Sequence, residues 1–307
     1  MNPRIIVLGS VNMDLVVRGP RIPLPGETIL GESLIEYPGG KGANQAVAAA
    51  RAGGPVAMIG CVGDDAFGRS LRASLDQAGV VTSRLAIRGP RSGVALIEVA
   101  ASGENSIVVV PGANALLSRA DAEDALAALA NAEILLLQLE IPMDTVEGAA
   151  AAARRRGIRV LLDPAPACPL SDRLLATVDF LTPNQQEAAL LTGMPEVGVA
   201  DAPEAARRLL ARGVGTVLVK LGPDGVLIGS AEGTEHLPGY KVATVDTTAA
   251  GDCLAGALAA ALVAGRSPHD AVAFANAAAA LSTTRRGAQT SMPTLEEVDR
   301  FLAATRA

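Results

Sequence analysis

Short runs of aliphatic and β-branched residues alternate along the chain with longer stretches of helical periodicity. The strand-like runs are Ile5–Gly9, Val56–Gly60, Ile134–Gln138, Val160–Asp163, Phe180–Thr182 and Thr216–Lys220. The helical stretches are Asn44–Ala52, Ala66–Ala78, Asp121–Leu129, Thr145–Arg155 and Pro203–Arg212, followed in the last third by Asp252–Ala264, His269–Leu281 and Thr294–Ala304. Because apolar strands alternate with helices, the pattern predicts an α/β fold with a doubly wound, mostly parallel central sheet flanked by helices.

Two segments interrupt this alternation, at about residues 12–37 and 92–110. Their parts without helical periodicity are Thr28–Tyr37, Gly93–Ala100 and Ser106–Val110. They predict a small β-sheet lid that extends from the main domain and can cover a ligand bound at the carboxyl ends of the strands. The alternative is a set of extra edge strands with no role in gating.

The composition is that of an ordinary globular enzyme. The 307 residues are 50% hydrophobic and 19% charged. Since they contain no tandem repeat or long linker, they predict a single domain over residues 1–307 with the lid segments inserted in it. Aromatic residues make up only 2% and tryptophan is absent, so any pocket for a nucleotide base should be aliphatic. With the net charge of −6, this speaks against nucleic-acid binding, which favours basic surfaces and stacking rings.

Rare residue types argue against several kinds of site. The three cysteines, Cys61, Cys168 and Cys253, contain no Cys-x-x-Cys pair and do not suggest a disulfide framework. The two histidines, His236 and His269, offer almost no material for a histidine metal site or a Ser-His-Asp triad. The N-terminus lacks the layout of a signal peptide, and no apolar run is long enough to span a membrane. We therefore expect a cytoplasmic protein.

The segment Asp246–Asp252, Asp-Thr-Thr-Ala-Ala-Gly-Asp, precedes an apolar helix. Its small residues allow a tight turn whose N–H groups point outward at a helix N-terminus, an arrangement that favours an anion. A carboxylate at Asp252 can accept a hydroxyl proton there while the amides stabilise the group being transferred. The alternative is that Asp252 is only the N-cap of the helix.

The segment Gly39–Asn44, Gly-Gly-Lys-Gly-Ala-Asn, leads into a helix and combines close backbone approach with donors from Lys41 and Asn44. It matches neither a Walker A loop nor a dinucleotide fingerprint. The segment suits a neutral polyol, or else it is a plain glycine turn before a helix. Asn12 and Asp14 face the same way on a strand-like segment, where they can grip vicinal hydroxyls or serve a turn.

Two further segments follow predicted strands. Asn184 and Glu187 lie one helical turn apart, so they can order Mg²⁺-bound water and phosphate. The alternative is a capping box, with Asn184 as the N-cap. Lys220–Gly225 forms a turn that can line a nucleotide pocket or simply close a hairpin to Val226–Gly229.

Together these residues resemble the ribokinase family of carbohydrate kinases, the phosphofructokinase-B type, over about residues 4–304. The segments Gly39–Asn44 and Asp246–Asp252 are its most specific motifs, and all the motifs occur in the family's order. The resemblance implies a ribokinase-like fold with a β-sheet lid. It also implies ATP-dependent phosphorylation of a sugar, D-ribose at O5, with Mg²⁺ and K⁺ as cofactors.

The resemblance also implies a role for each matching residue. Asp252 is the catalytic base, and the anion-hole amides come from Ala249, Ala250 and Gly251. The sugar contacts are Asn12, Asp14, Gly40, Lys41, Asn44, Glu140 and Asp252. The nucleotide side consists of Asn184, Glu187, Lys220, Gly222, Gly225, Gly251 and Asn276, with Glu187 holding Mg²⁺ through water. The monovalent cation is held, partly by backbone carbonyls, at Asp246, Thr248, Ser282, Arg285, Gly287 and Ser291. The lid segments also form the dimer contact, so a homodimer is implied.

Two positions depart from the family pattern. Ala249 stands where many members have Gly, and Lys220 stands where Thr is frequent, which leaves the contact of Lys220 with the nucleotide open. Another acceptor in the same family (deoxyribose, fructose or a nucleoside) remains an alternative, although the scarcity of aromatic residues argues against a nucleoside. A non-catalytic sugar-binding relative is a rival of a different class, and the presence of Asp252 argues against it.

Overall fold

The computed structural model describes residues 2–305. Its strands are β1 (Ile5–Leu8), β2 (Asn12–Gly19), β3 (Ser33–Gly39), β4 (Val56–Val62), β5 (Val81–Ile87), β6 (Gly93–Ala100), β7 (Asn105–Val110), β8 (Ile134–Leu137), β9 (Arg159–Leu162), β10 (Phe180–Leu181), β11 (Thr216–Lys220), β12 (Val226–Ser230) and β13 (Gly233–Leu237). Its α-helices are α1 (Lys41–Arg51), α2 (Ala66–Gln77), α3 (Arg119–Ala128), α4 (Met143–Arg155), α5 (Asp172–Leu175), α6 (Gln185–Thr192), α7 (Ala202–Ala211), α8 (Ala250–Val263), α9 (Pro268–Ser282) and α10 (Leu295–Thr305). Within this described part of the chain, no helix is long and apolar enough to cross a bilayer.

The larger sheet has the strand order β13-β12-β11-β10-β9-β8-β1-β4-β5. Its strands run parallel from β11 to β5, and an antiparallel hairpin of β12 and β13 completes one edge. Strand β1 lies between β4 and β8, with Ile5 paired to both Val56 and Ile134. The chain builds outward from β1 in both directions, so ligands are expected at the carboxyl end of this strand. The predicted doubly wound, mostly parallel sheet is confirmed.

Successive residues of β1 enter two different hydrophobic cores. Ile5 and Val7 pack with residues of α1, α8 and α9, whereas Ile6 and Leu8 pack with residues of α3, α4 and α7. Because side chains alternate across a strand, these cores cover the two faces of the sheet. A strand covered by helices on both sides needs a continuous apolar run, and this is the pattern that identified β1 in the sequence.

Helices α1 and α8 pack closely enough to exclude any side chain at Gly256. A Cβ atom there would lie 2.4 Å from the carbonyl oxygen of Gln45 and 2.6 Å from the Cβ of Ala48. Since a real Cβ atom never approaches backbone so closely, the helix contact depends on glycine. This contact places the start of α8 beside the first turn of α1, and so Asp252 beside Asn44.

The smaller sheet has the order β3-β2-β6-β7. Asn12, at the start of β2, pairs with Gly39 and Gly93, so this sheet begins beside the carboxyl end of β1. The small separate sheet predicted from the two interrupting segments is confirmed. The first segment contributes two strands, β2 and β3; the predicted stretch Thr28–Tyr37 becomes a strand only at Ser33, and residues 28–32 lie outside β3.

Helix α1 begins at Lys41 rather than at the predicted Asn44. Gly40 has φ 87° and ψ 133°, a conformation that costs glycine little and lets the chain turn abruptly from β3 into the helix. The glycines of this segment therefore act at the junction, and Lys41 and Asn44 both lie in the first turn of α1.

Candidate active site

Asp252 lies in the first turn of α8 and is 6% exposed. The side-chain amide of Asn44 donates to its Oδ2 and that of Gln45 to its Oδ1, each at 3.0 Å. The N-cap position is taken by Ala249, whose side chain caps nothing. The interpretation of Asp252 as a simple N-cap is therefore wrong, and its carboxylate is held by α1 instead.

The turn before α8 has the geometry of an anion site. Ala249 adopts φ 58° and ψ 17°, a left-handed conformation that is unusual for a residue with a Cβ atom. Ala250 donates its N–H to the carbonyl of Thr247 at 3.2 Å. The N–H groups of Gly251 and Asp252 lie in the first helical turn and so have no intrahelical acceptor. The predicted anion-hole amide of Gly251 is therefore better placed to receive an anion than that of Ala250.

Asn12 and Asp14 on β2 face the Gly-Gly turn. A Cβ atom on Gly39 would lie 2.1 Å from the Asp14 carboxylate, and one on Gly40 would lie 2.6 Å from the backbone nitrogen of Asn12. The buried amide of Asn114 donates to Asn12 Oδ1 at 2.7 Å, which fixes its orientation. The structure therefore brings the two predicted polyol-binding segments together.

Glu140 joins this group from the segment after β8. Its Oε2 accepts a hydrogen bond from Ser10 Oγ at 2.5 Å and one from the backbone N–H of Lys41 at 3.3 Å. Asn44 Oδ1 is buried, yet it has no protein partner among the described residues. Since buried polar atoms are normally paired, this oxygen fits a ligand that brings a donor, such as a sugar hydroxyl.

Burial and mutual repulsion shift the ionisation of these groups. Burial, assisted by the charges of Glu140 and Asp252, raises the pKa of Asp14 to about 7. Burial also raises the pKa of Asp252, although Lys41 and the two amide donors partly offset this shift. For Lys41 burial alone would lower the pKa, but the nearby carboxylates, Asp252 first, raise it above its usual value. The ammonium therefore stays charged at the centre of the site.

A cleft of about 510 Å³ opens beside this cluster. Its wall includes Lys41, Asp163, Asn184, Glu187, Lys220, Ala249, Ala250, Gly251 and Asp252. Lys220 Nζ lies 2.6 Å from Asp163 Oδ1 and 3.9 Å from Glu187 Oε2. The cleft thus combines cationic side chains with the N-terminus of α8, as a phosphate site requires.

Asn184 and Glu187 form the capping box that was the alternative interpretation of this pair. Asn184 Oδ1 accepts the N–H of Glu187 at 2.8 Å, and Glu187 Oε2 accepts the N–H of Asn184 at 2.7 Å. Burial raises the pKa of Glu187, although Lys220 acts in the opposite direction. Both side chains also line the cleft, so capping and ligand binding are compatible.

A second cleft of about 570 Å³ adjoins the first. The two clefts share Lys220, Gly222, Thr247, Ala250 and Gly251, and the second also contains Gly225, Tyr240 and Asn276. The composition predicts an aliphatic pocket for a base, but one wall carries Tyr240, packed edge to face on Phe301 with centroids 5.3 Å apart. Of the two interpretations of Lys220–Gly225, the hairpin is present, with β11 and β12 antiparallel, and the same turn also lines this cleft.

The residues predicted to hold a monovalent cation lie on two adjoining loops. Asp246 Oδ1 accepts hydrogen bonds from the N–H and hydroxyl of Thr248, and Oδ2 accepts the N–H of Gly287 at 2.9 Å. Burial opposes ionisation of Asp246, but these hydrogen bonds, that of Gly287 first, lower its pKa. The guanidinium of Arg285 is itself a cation and pairs with Glu297 at 2.6 Å, so this residue can ligate a cation only through its backbone carbonyl.

The other two predicted cation ligands, Ser282 and Ser291, are buried, and their hydroxyls donate to the backbone carbonyls of Ala279 and Ala288. Among residues 2–305, no group of three or more His, Cys, Asp or Glu side chains has the geometry to hold a metal ion.

Asp163 and Gln45 are buried polar residues of the site that were not predicted. Asp163 follows β9 and is 1% exposed, and Gln45 in α1 is 0% exposed. A single amide, Gln45 Nε2, donates to Asp163 Oδ2 and to Asp252 Oδ1, each at 3.0 Å. The position of Asp163 at the carboxyl end of a parallel strand was a usable signal. For Gln45 the sequence offered no signal beyond its position next to Asn44.

Residues 2–295 match the family described as pfkB family carbohydrate kinase. The ribokinase of Haemophilus influenzae is 42% identical over 303 residues, covering 98% of this chain and 99% of the relative. The deoxyribokinase of Salmonella typhimurium is 37% identical, covering 97% and 98%. A structure of Arabidopsis thaliana ribokinase complexed with ribose and ATP superimposes with a TM-score of 0.92 at 36% identity, covering 98% and 99%. The chain belongs to the pfkB family of carbohydrate kinases.

Proposed function

We propose that this chain transfers the γ-phosphoryl group of ATP to the O5 hydroxyl of D-ribose, giving D-ribose 5-phosphate. The observation that carries the proposal is the position of Asp252. Its buried carboxylate lies between a cluster of polyol-binding side chains and a cleft that meets the N-terminus of α8. In-line phosphoryl transfer needs a proton acceptor at this boundary and little other chemistry from the protein.

Asp252 takes the proton of the attacking hydroxyl. Burial raises the pKa of this carboxyl, which makes it a stronger base than an exposed aspartate when it is ionised. The amides of Asn44 and Gln45 hold one oxygen each, so the carboxylate cannot rotate away from the acceptor. The free Oδ1 of Asn44 accepts a hydroxyl of the same sugar.

The remaining sugar contacts come from the cluster around the Gly-Gly turn: Asn12, Asp14, Gly40, Lys41 and Glu140. They present two carboxylates, an amide and an ammonium, which suits the several hydroxyls of a small sugar. The nucleoside lies in the second cleft, against Gly222, Gly225 and Asn276. The phosphates extend into the first cleft, toward the amide of Gly251.

Glu187, near Asn184, would hold through water the Mg²⁺ that accompanies the nucleotide. Carboxylate and amide oxygens at the cleft wall fit this ion, which usually keeps several waters. When bound, Mg²⁺ would supply positive charge to neutralise the phosphate oxygens. The chain itself contributes the helix amides and the ammonium groups of Lys41 and Lys220.

The loops that carry Asp246 and Gly287 would hold a monovalent cation between them, K⁺ in the first instance. The hydrogen bond between these residues closes the two loops on each other, and the Asp246 carboxylate adds the charge that a cation requires. The other donors are Thr248, Ser282, Arg285 and Ser291, the arginine through its carbonyl. When bound, the cation would steady the turn before α8 and with it the anion hole.

The smaller sheet acts as a lid over the sugar and as the contact of a homodimer. Asn12 and Asp14 lie on its strand β2, so movement of this sheet changes access to the sugar site. Its exposed apolar residues are Val17, Leu34, Leu96, Ile107, Val108, Val109 and Val110. Closure would exclude water and limit ATP hydrolysis. A single functional unit over the whole chain and a cytoplasmic location complete the proposal.

The principal alternative is another acceptor, deoxyribose first, because a deoxyribokinase is among the relatives. A coupled ADP-release assay over pentoses, hexoses and nucleosides, with and without K⁺, separates these acceptors. We expect the highest kcat/KM with D-ribose and a faster reaction with K⁺ than with a large organic cation. A higher kcat/KM for deoxyribose would reassign the substrate. ADP release that is equally fast in the presence and in the absence of every sugar tested would contradict the proposed function.

A further inference from the structure

Asp163 is a buried carboxylate that accepts hydrogen bonds from three side chains. Its Oδ1 accepts from Lys220 Nζ at 2.6 Å and from Thr182 Oγ1 at 3.3 Å, and its Oδ2 accepts from Gln45 Nε2 at 3.0 Å. Burying a carboxylate is costly unless it is paired and fully hydrogen-bonded. Two of these partners come from segments that line the active site, so the charge of Asp163 does more than join neighbouring strands.

Lys220 places a cation where the first cleft, proposed for the phosphates, meets the second cleft, proposed for the nucleoside. Its side chain lines both clefts. A Cβ atom built on Gly251 would lie 3.3 Å from Lys220 Nζ, so the ammonium sits directly beside the first turn of α8. Charge and helix amides thus face the same small volume, which favours the most negative part of a bound ligand.

Gln45 connects this ion pair to the base. Its side-chain nitrogen lies 3.0 Å from both Asp163 Oδ2 and Asp252 Oδ1. Gln138 Nε2 donates to Gln45 Oε1 at 2.6 Å, which fixes which end of the amide points at the carboxylates. An unbroken chain of contacts therefore runs from Lys220 through Asp163 and Gln45 to Asp252.

We propose that Lys220 and Asp163 act as one unit in phosphoryl transfer, in which Asp163 holds the Lys220 ammonium against the γ-phosphoryl group and, through Gln45, aligns Asp252 with it. The inference rests on the proposed function. Lys220 is then a catalytic residue because it touches the transferred group, whereas Asp163 and Gln45 are positioning residues. The unit forms no bond and moves no proton: the hydroxyl proton goes to Asp252, and the ion pair supplies charge and alignment.

A purely structural ion pair between β9 and β11 makes a different prediction. Its loss would weaken the fold and reduce binding of every nucleotide alike, since nothing would distinguish one phosphate from another. A cation aimed at the γ-phosphoryl group affects only ligands that carry this group. The comparison of di- and triphosphate binding therefore separates the two interpretations.

The decisive variant is Lys220→Met, which keeps the length of the side chain and removes its charge. Calorimetry with Mg²⁺ compares ADP with the β,γ-imido analogue of ATP. We expect about 10-fold weaker binding of the analogue and ADP binding within about 2-fold of the wild type. We expect kcat to fall about 10²- to 10³-fold with KM for ribose nearly unchanged. Lys220→Arg should recover most of this loss, and Arg207→Met, on the exposed surface of α7, serves as the matched control.

Asp163→Asn and the double variant Asp163→Asn/Lys220→Met test whether the pair is one unit. If it is, the double variant has a kcat within about 3-fold of Lys220→Met alone, whereas independent residues give losses that multiply. If the kcat losses of the two single variants multiply in the double variant, the proposal that the two residues act as one unit is overturned. Should Asp163→Asn not fold, the nucleotide comparison in Lys220→Met decides alone.

Equal weakening of ADP and the analogue, or a kcat within about 3-fold of wild type in Lys220→Met, would overturn the role of Lys220. A wild-type protein that phosphorylates no sugar would refute the proposed function instead. Even then, a loss confined to the triphosphate analogue would still support the contact between Lys220 and the γ-phosphate, because this measurement needs no turnover.

Discussion

Strands β1 and β7 are built from the same kind of residue and have opposite environments. In β1, Ile5–Leu8 are all 0% exposed. In β7, Ile107–Val110 are between 42% and 57% exposed. Helices cover both faces of the first strand, and nothing in the described chain fully covers the second. The larger sheet is therefore covered by the protein's own helices, whereas the smaller sheet exposes an apolar surface of the kind that marks binding sites.

The two faces of the smaller sheet differ in what they can meet. Asp14 pairs with Ala95, which pairs with Val109, so these residues share the face that carries the sugar ligands. Leu96 and Val108 pair with each other and lie on the opposite face. One face is thus suited to close over the substrate, and the other is the face on which the proposed dimer contact would form.

The largest effect is expected at Asp252, in the first turn of helix α8, which packs on the larger sheet. Asp252→Asn keeps the size and burial of the side chain but removes the proton acceptor. We expect kcat to fall about 10²- to 10⁴-fold while ribose affinity changes little, measured by steady-state kinetics and calorimetry. The control is Asp64→Asn, whose side chain is 81% exposed. Near wild-type turnover in Asp252→Asn would end the assignment of this residue as the base.

A matched pair of truncations tests the contrast between the strands directly. Ile6→Ala removes a fully buried side chain and should destabilise the protein by about 2–5 kcal/mol, because the cavity cannot close. Ile107→Ala removes one that is 54% exposed, so the expected change is within about 0.5 kcal/mol. Denaturant unfolding measures both. Similar losses for the two variants would mean that the smaller sheet is packed as tightly as the larger one.

Charges on the face of the smaller sheet that carries Leu96 and Val108, opposite the sugar ligands, should break the proposed dimer. In Leu34→Lys/Val108→Lys, two apolar side chains that are 62% and 57% exposed become cationic. We expect a monomer in sedimentation at micromolar concentration, and a kcat/KM for ribose about 10-fold lower because lid closure is weakened. Ser102→Lys, in the turn of the same sheet, is the control. A wild-type protein that is itself monomeric would remove the dimer from the proposal.

The fold was predictable to the extent that its signal is local. Strands covered on both faces appear as continuous apolar runs, as in Ile134–Gln138, and these were found. The edge strands β5 and β13 were not, since their mixed, partly exposed residues look like loops. The site divides in the same way. Asp252 and Asn44 belong to recognisable segments, but the pairing of Asp163 with Lys220 depends on the neighbouring strands β9, β10 and β11, which no local pattern reveals.

The smallest effect concerns Asp14, the residue through which the smaller sheet reaches the buried site. Burial, with Glu140 and then Asp252 nearby, raises its pKa to about 7, while Lys41 acts in the opposite direction. The carboxyl is therefore largely protonated below that pH and accepts hydroxyl hydrogen bonds fully only above it. We expect ribose affinity, measured by calorimetry without nucleotide, to rise about 3-fold from pH 6.5 to 7.5.

The variant Asp14→Asn should bind ribose more weakly and with no such rise, because its amide does not titrate in this range. Glu36→Gln, on the neighbouring strand β3, is the control and should keep the rise. An unchanged pH dependence in Asp14→Asn would transfer the effect to another carboxylate of the site.

The ionisation of Asp14 also affects the stability of the protein. Because the folded pKa lies above the ordinary value of 3.8, the folded state holds the proton more tightly than the unfolded state does. The contribution of Asp14 is therefore present below about pH 4 and is lost as the pH rises toward 7. Unfolding experiments over this range should give a shallower decline for Asp14→Asn than for the wild type.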